Sequence, residues 1–148
     1  MKPRDLPIKE LIEKLKEEHA ALPAIIDDAV ITYKTGNLSG AFPVIAEVRE
    51  TLSQHIIDEE AVLLKLLIDK LGKEASEPYI KILQDHTKIM KLVEQSVEST
   101  YTGWTETEPN LNLLKETLAH HHKQEEDELY PKVLSLIRYQ GFPENNRN

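Results

Sequence analysis

The chain contains no cysteine among its 148 residues, and it is poor in glycine and in aromatic side chains. Without cysteine it can form no disulfides, no thiolate metal sites, no iron–sulfur clusters on Cys ligands and no Cys nucleophile. Five glycines and 5% aromatic residues, beside abundant Leu, Ile, Glu and Lys, indicate long helices rather than strands and tight turns. We therefore expect an all-α protein, in which any metal is bound by His and carboxylate side chains.

The charge and the hydropathy pattern argue against two further classes of protein. With 26 acidic and 18 basic side chains the formal net charge is -8, which disfavours nucleic acid or an anionic membrane as a partner. No apolar run approaches the roughly 18 residues of a membrane helix, and the charged N-terminal residues lack the apolar stretch of a signal peptide. We expect a cytoplasmic protein, monomeric or homodimeric, whose partners are small molecules.

Apolar residues recur at helical spacing in four segments, and Pro or Gly lies near the breaks between them. The pattern predicts helices at about 7–34, 41–71, 77–101 and 109–140. Four amphipathic helices with short connections favour an antiparallel up-down four-helix bundle. The length of 148 residues predicts a single domain, 1–148.

The two halves of the chain resemble each other, which predicts a two-fold internal repeat. Residues 17–36 align without gaps on 84–103, and residues 52–64 align on 118–130 after a one-residue adjustment. Each half thus has one helix with a His and then one helix with His-x-x-x-Glu-Glu. The alignment pairs His19 with His86, His55 with His121, and Glu59 with Glu125.

These His and Glu residues fall in the core-facing stripe of each predicted helix. A single His in such a stripe is more often a hydrogen-bonded core residue than a metal ligand, but four would all fall there by chance in under about 1% of cases. An ionised carboxylate is costly to bury unless it is paired or bound to a metal, and no Lys or Arg lies near these residues in the stripes. A cation is the compensating charge that remains. In the second helix we expect the stripe to run through Val48, Leu52, His55, Glu59, Leu63 and Leu66.

The spacing of the paired residues suits a dinuclear metal site. Residues i and i+4 share a helix face, so His55 with Glu59 and His121 with Glu125 can each direct a nitrogen and an oxygen to one point. Mixed imidazole and carboxylate ligands suit iron, manganese or zinc, and two bridging carboxylates fit two metal ions. We assign no catalytic residue and no organic cofactor site. The predicted metal ligands are His19, His55, Glu59, His86, His121 and Glu125.

The three histidines at 120–122 leave a choice of frame in the fourth helix. Ungapped extension of the repeat would select His122 with Glu126, whereas we prefer His121 with Glu125 because this pair keeps the apolar stripe in phase. The flanking His120 and His122 are expected mostly to face solvent or to lie behind the ligands, and the alternative is that one of them supplies a further metal ligand. Glu60 and Glu126 directly follow the two predicted glutamate ligands. Each is expected either to accept a hydrogen bond from a ligand histidine or to belong to a solvated face.

Together these motifs resemble the hemerythrin-like, or HHE cation-binding, family over nearly the whole chain. The resemblance implies a four-helix bundle with a non-haem di-iron core, bridged by two carboxylates and an oxo or hydroxo group, and roles in binding or sensing oxygen, nitric oxide or iron. The matching residues are His19, His86, His55-Ile-Ile-Asp-Glu59-Glu60, and His121-His122-Lys-Gln-Glu125-Glu126 running into Leu129-Tyr130-Pro131.

The chain departs from the oxygen-carrying hemerythrins, which have five His ligands, two of them one turn apart on the third helix. One turn from His86 stand Ile82 and Met90. Four His and two bridging carboxylates would leave an open position on each iron, which favours oxidation of the iron over reversible oxygen transport. We expect a di-iron protein that binds or reacts with oxygen, nitric oxide or peroxide. The alternatives are zinc or manganese at the same ligands, in a metal store or a structural zinc-binding bundle without redox activity.

Overall fold

The computed structural model describes residues 6–139, in which all regular secondary structure is helical. Four long helices follow one another, and the second and fourth are each interrupted by a π-helical segment. In this part of the chain no helix combines the length and the apolarity that crossing a bilayer requires. The first helix is Ile8–Lys34, the second joins Leu38–Asp58, the π segment Glu59–Leu64 and Lys65–Leu71, the third is Glu77–Ser99, and the fourth joins Thr107–Gln124, the π segment Glu125–Leu129 and Tyr130–Tyr139.

The predicted helices are all present, and their bounds differ most at the start of the second. This helix begins at Leu38 because the Asn37 side chain caps it, accepting a hydrogen bond from the Gly40 N–H at 3.0 Å. Pro43 therefore lies inside the helix rather than at its start. The predicted end of the fourth helix, residue 140, lies outside the described residues.

Two apolar clusters divide the core along the length of the bundle. In the first helix, residues 8–15 belong to one cluster and residues 22–29 to the other. Along the chain, the third helix meets the two clusters in the same order as the first helix. The second and fourth helices meet them in the opposite order. Successive helices therefore run antiparallel, which confirms the up-down four-helix bundle. The first cluster includes Leu11, Leu15, Leu67 and Val133, and the second includes Leu22, Val48, Val93 and Leu118.

Both π segments begin at a predicted ligand, Glu59 or Glu125. From these ligands the buried positions recur every four residues, at Leu63 and Leu67 in the second helix. In an α-helix of 3.6 residues per turn each four-residue step drifts by about 40°, so a long run of such steps would leave the core. The wider π turn absorbs this drift.

The expected core stripe of the second helix is wrong beyond the π segment. Leu66 is only half-buried, and Leu67 is fully buried in its place. The π segment accommodates one extra residue, so every side chain that follows it is shifted by one position relative to an uninterrupted α-helix.

Candidate metal centre

All six predicted ligands are buried in a polar band between the two apolar clusters. Each helix contributes a histidine, and the second and fourth helices each add a glutamate at the start of their π segment. The bundle thus brings together residues that are up to 106 positions apart in the sequence, from 19 to 125. Their exposed fractions are 6% for His19, 2% for His55, 0% for Glu59, 5% for His86, 2% for His121 and 0% for Glu125.

The ligand atoms fall into two groups, and within each group all of them lie within 4.8 Å of one another. Glu125 belongs to both groups, so the two groups adjoin at its carboxylate. His122, which we did not include among the predicted ligands, joins the first group. The first group consists of His19, His55, His122 and Glu125, and the second consists of Glu59, His86, His121 and Glu125.

Each of the two glutamates faces imidazole nitrogens from both groups. One Glu125 oxygen lies 3.1 Å from Nε2 of His19, and the other lies 3.1 Å from Nε2 of His121. Glu59 Oε1 lies 3.0 Å from Nε2 of His86 and 3.4 Å from Nε2 of His55. Both carboxylates therefore lie between the imidazoles of the two groups.

Three buried atoms at the centre of this arrangement have no hydrogen-bond partner among the described residues, namely Nε2 of His121 and both carboxylate oxygens of Glu125. Buried polar atoms in folded proteins are nearly always paired. The Glu125 oxygens lie close to imidazole nitrogens, but no imidazole N–H among the described residues points at them in hydrogen-bond geometry. Cations would satisfy these lone pairs and compensate the buried carboxylates, so the donor set fits a metal centre.

Each of the four predicted His ligands turns Nε2 into the site and has a carboxylate at Nδ1. Such a carboxylate accepts the Nδ1–H, fixes the tautomer and orients the ring, as it does for metal-binding histidines in general. The Nδ1 to carboxylate distances are 2.7 Å for His19 to Glu126, 2.9 Å for His55 to Glu18, 2.8 Å for His86 to Glu60, and 3.4 Å for His121 to Asp85.

The sequence identified two of these outer carboxylates and missed the other two. Glu60 and Glu126 accept hydrogen bonds from histidines, which was one of their two predicted roles. Glu18 and Asp85 were not predicted, although the alignment of the two halves places one on the other and each directly precedes a predicted ligand. Both reach across to the histidine of the following helix.

His122 is buried but its surroundings differ from those of the other site histidines. Its ring stacks on that of His19 with centroids 3.6 Å apart, and among the described residues no carboxylate accepts a hydrogen bond from it. Burial, together with the neighbouring imidazoles, lowers the pKa of His122 to about 2, so the ring is neutral at physiological pH. His120, by contrast, is exposed. Together with Asp85 it lines a groove of about 930 Å³ on the surface formed by the third and fourth helices.

Without a metal, protons compensate the carboxylates of the site. Burial alone would lower the pKa of His55, but Glu59 and Glu18 outweigh it and raise this pKa to about 10. Burial likewise opposes protonation of His86, while Glu125 and Glu59 raise its pKa to about 10. Burial would raise the pKa of Glu59, yet His55 holds it well below its usual range. A metal entering this site must displace protons from imidazoles.

Tyr130 also reaches the site, from the residue that follows the second π segment. The side chain is fully buried, and its hydroxyl donates a hydrogen bond to Glu59 Oε2 at 2.6 Å. The Tyr130 hydroxyl oxygen also lies 3.2 Å from Nε2 of His19. Burial and the charge of Glu59 raise the pKa of Tyr130, so the hydroxyl keeps its proton and acts as a donor.

Comparison with known proteins gives one match. Residues 10–133 match the family model described as the hemerythrin HHE cation binding domain. No curated protein and no solved structure matches the chain. The matched segment reaches into all four helices and contains every site residue described above. The chain therefore belongs to the hemerythrin HHE cation-binding domain family, and its buried His and Glu clusters fit a metal site.

Proposed function

We propose that this protein binds two iron ions and that the di-iron centre binds or reacts with oxygen, nitric oxide or peroxide, in sensing, scavenging or iron handling. Glu59 and Glu125 would bridge the two ions. The observation that carries the proposal is Glu125, a fully buried carboxylate whose oxygens face imidazoles of both groups but have no hydrogen-bond donor in the described part of the chain. The remaining ligands would be His19 and His55 for one ion, and His86 and His121 for the other.

Iron held by imidazole and carboxylate ligands would supply the redox chemistry through which non-haem proteins bind or reduce small oxidants. The chain's own residues would orient and enclose the ions. The outer carboxylates fix the ring orientation of the four histidines. The apolar clusters exclude water from the core at both ends of the site.

The proposal is tested by reconstituting the metal-free protein with ferrous iron under anaerobic conditions and recording the optical spectrum before and after air is admitted. We expect absorption in the near-ultraviolet and visible range to develop in air, because the iron is oxidised at the site. A zinc-loaded sample is the control and should stay colourless. A reduced protein that binds oxygen and releases it unchanged over repeated cycles would contradict oxidation in favour of transport.

A metal store or structural zinc site without redox activity is the second candidate. One observation favours it, because each group offers four protein ligands, the number that structural zinc sites use. The two candidates differ in the same experiment. A protein that takes up iron and remains colourless in air would support the inert site and exclude the redox function.

A further inference from the structure

The two glutamates between the metal-ligand groups are held differently by the protein. Glu59 accepts a hydrogen bond from the Tyr130 hydroxyl at 2.6 Å, which leaves its Oε1 directed at His86 and His55. Within residues 6–139, Glu125 has no hydrogen-bond donor at either oxygen. Both carboxylates are fully buried, so solvent cannot supply the missing donor.

The internal alignment gives the same asymmetry. It places Tyr130 on Leu64, which has no hydroxyl. The fourth helix therefore provides a donor for the glutamate of the second helix, while the position aligned with it in the second helix offers none to Glu125. Because the Tyr130 side chain comes from the opposite half of the chain, its hydrogen bond also ties the two halves together at the site.

We propose that Tyr130 is a positioning residue that fixes the Glu59 carboxylate before metal binds, so that Glu59 is the rigid bridging ligand and Glu125 the adaptable one. This inference rests on the proposed metal centre. A carboxylate fixed in its binding orientation loses less conformational freedom when a metal arrives, which raises affinity. Outer hydrogen-bond partners of metal ligands typically contribute about 10–100-fold to metal affinity.

The test is a titration of metal-free protein with ferrous iron, without oxygen, in competition with a colorimetric chelator. Tyr130→Phe removes the hydroxyl and keeps the ring, so we expect iron affinity to fall by about 10–100-fold while the helical circular dichroism is unchanged. Tyr79→Phe is the matched control, because Tyr79 packs against the same apolar cluster as Tyr130 without lying at the site. It should bind iron like the wild type.

A double-mutant cycle separates positioning of Glu59 from a general packing effect. In a Glu59→Ala background, which removes the acceptor, Tyr130→Phe should cause little further loss of iron affinity, since the hydroxyl acts through the carboxylate. An equal loss in both backgrounds would overturn the proposal. So would a phenolate-to-iron absorption band in the ferric wild type that Tyr130→Phe abolishes, because Tyr130 would then be a ligand.

Two further outcomes decide the matter. If Tyr130→Phe fails to fold, the test is repeated with Tyr130→Leu, which introduces the residue found at the aligned position, Leu64. Loss of the fold in both variants would overturn the proposal, because Tyr130 would then be needed for folding. Wild-type affinity in a folded Tyr130→Phe variant would also overturn it. If the wild type itself binds no iron, the proposed function fails, whereas unchanged affinity in Tyr130→Phe refutes only the role of Tyr130.

Discussion

His121 and His122 show how strongly the surroundings of a residue decide its role. Both are buried, and they are adjacent in the sequence. His121 has Asp85 at Nδ1 and Glu125 3.1 Å from Nε2, whereas His122 stacks against His19. Stacking places a neutral ring beside the site without orienting either nitrogen by a carboxylate.

We therefore predict that His121→Ala loses one of the two metal ions and that His122→Ala keeps both. The reason is that only His121 combines an oriented ring with a bridging glutamate within reach. Metal content per chain after reconstitution with ferrous iron and desalting measures the effect. Loss of metal in His122→Ala with retention in His121→Ala would reverse the assignment and favour the frame of His122 with Glu126.

The raised pKa values of His55 and His86 predict that metal binding releases protons. In the folded protein both histidines have a pKa of about 10 instead of 6.5, so they are protonated in the metal-free protein near neutral pH. Their contribution to the stability of the metal-free fold is therefore complete below about pH 6.5 and is lost as the pH rises through about 10. Metal affinity should change in the opposite direction and increase with pH.

Titration calorimetry with a divalent cation, in buffers of different ionisation enthalpy at about pH 7, counts the released protons. We expect about two per chain, one from each histidine. The metal affinity should still rise between about pH 7 and pH 9, where imidazoles of ordinary pKa have already lost their protons. Affinity that is constant above about pH 7, with no proton release, would contradict the prediction.

Individual residues of the site were predictable where helical spacing determines which side chains share a face. His55 with Glu59, and His121 with Glu125, follow from the i, i+4 rule. Glu18 and Asp85 were missed because an acidic residue beside a core stripe is usually solvated, and only the packing of the following helix shows what it reaches. Tyr130 was recognised as part of a motif, but its contact with Glu59 depends on how the two helices are packed.

At the scale of elements, the π segments set the register of the apolar side chains that follow the predicted ligands in the second and fourth helices. Each begins at a glutamate that we propose as a bridging ligand and precedes a stretch of buried apolar residues. A π segment contains about one residue more than the α-helix that would span the same distance. Deleting one residue from a π segment should therefore give a regular α-helix, in which the side chains after the deletion still face the same way as in the wild type.

The prediction is that deletion of Asp127, exposed within the second π segment, leaves a folded bundle with a cooperative thermal transition. Deletion of Ala119, equally exposed but in the α-helical part, rotates all following side chains by about 100° and should abolish cooperative unfolding. Circular dichroism during heating compares the two. A fourth helix that tolerates both deletions equally would show that the π segment does not set its register.

The helices themselves were predicted well from apolar periodicity and from the positions of Pro and Gly, whereas the π segments were not. Their trace in the sequence is the run of four-residue steps through Glu59, Leu63 and Leu67. The sequence alone does not show which leucines continue the core stripe, because Leu64 and Leu66 would continue an ordinary α-helical stripe equally well. Only the packed core selects Leu67.

For the whole molecule, the polar band divides a bundle that is otherwise apolar along its axis. Proposed ligands from all four helices meet in this band, so a bound metal would tie the four helices together midway along the core. Metal binding and stability are therefore linked, since ions that bind only the folded bundle shift the folding equilibrium towards it. The band also holds two carboxylates that have no Lys or Arg partner among the residues the structure describes, those of Glu59 and Glu125.

The central claim is that the two adjoining ligand groups bind two iron ions in each chain. The most direct measurement is elemental analysis of the full chain after anaerobic reconstitution with ferrous iron and desalting, with protein concentration determined by amino-acid analysis. Two groups sharing Glu125 predict two tightly bound irons per chain. One iron or fewer per chain would contradict the dinuclear centre.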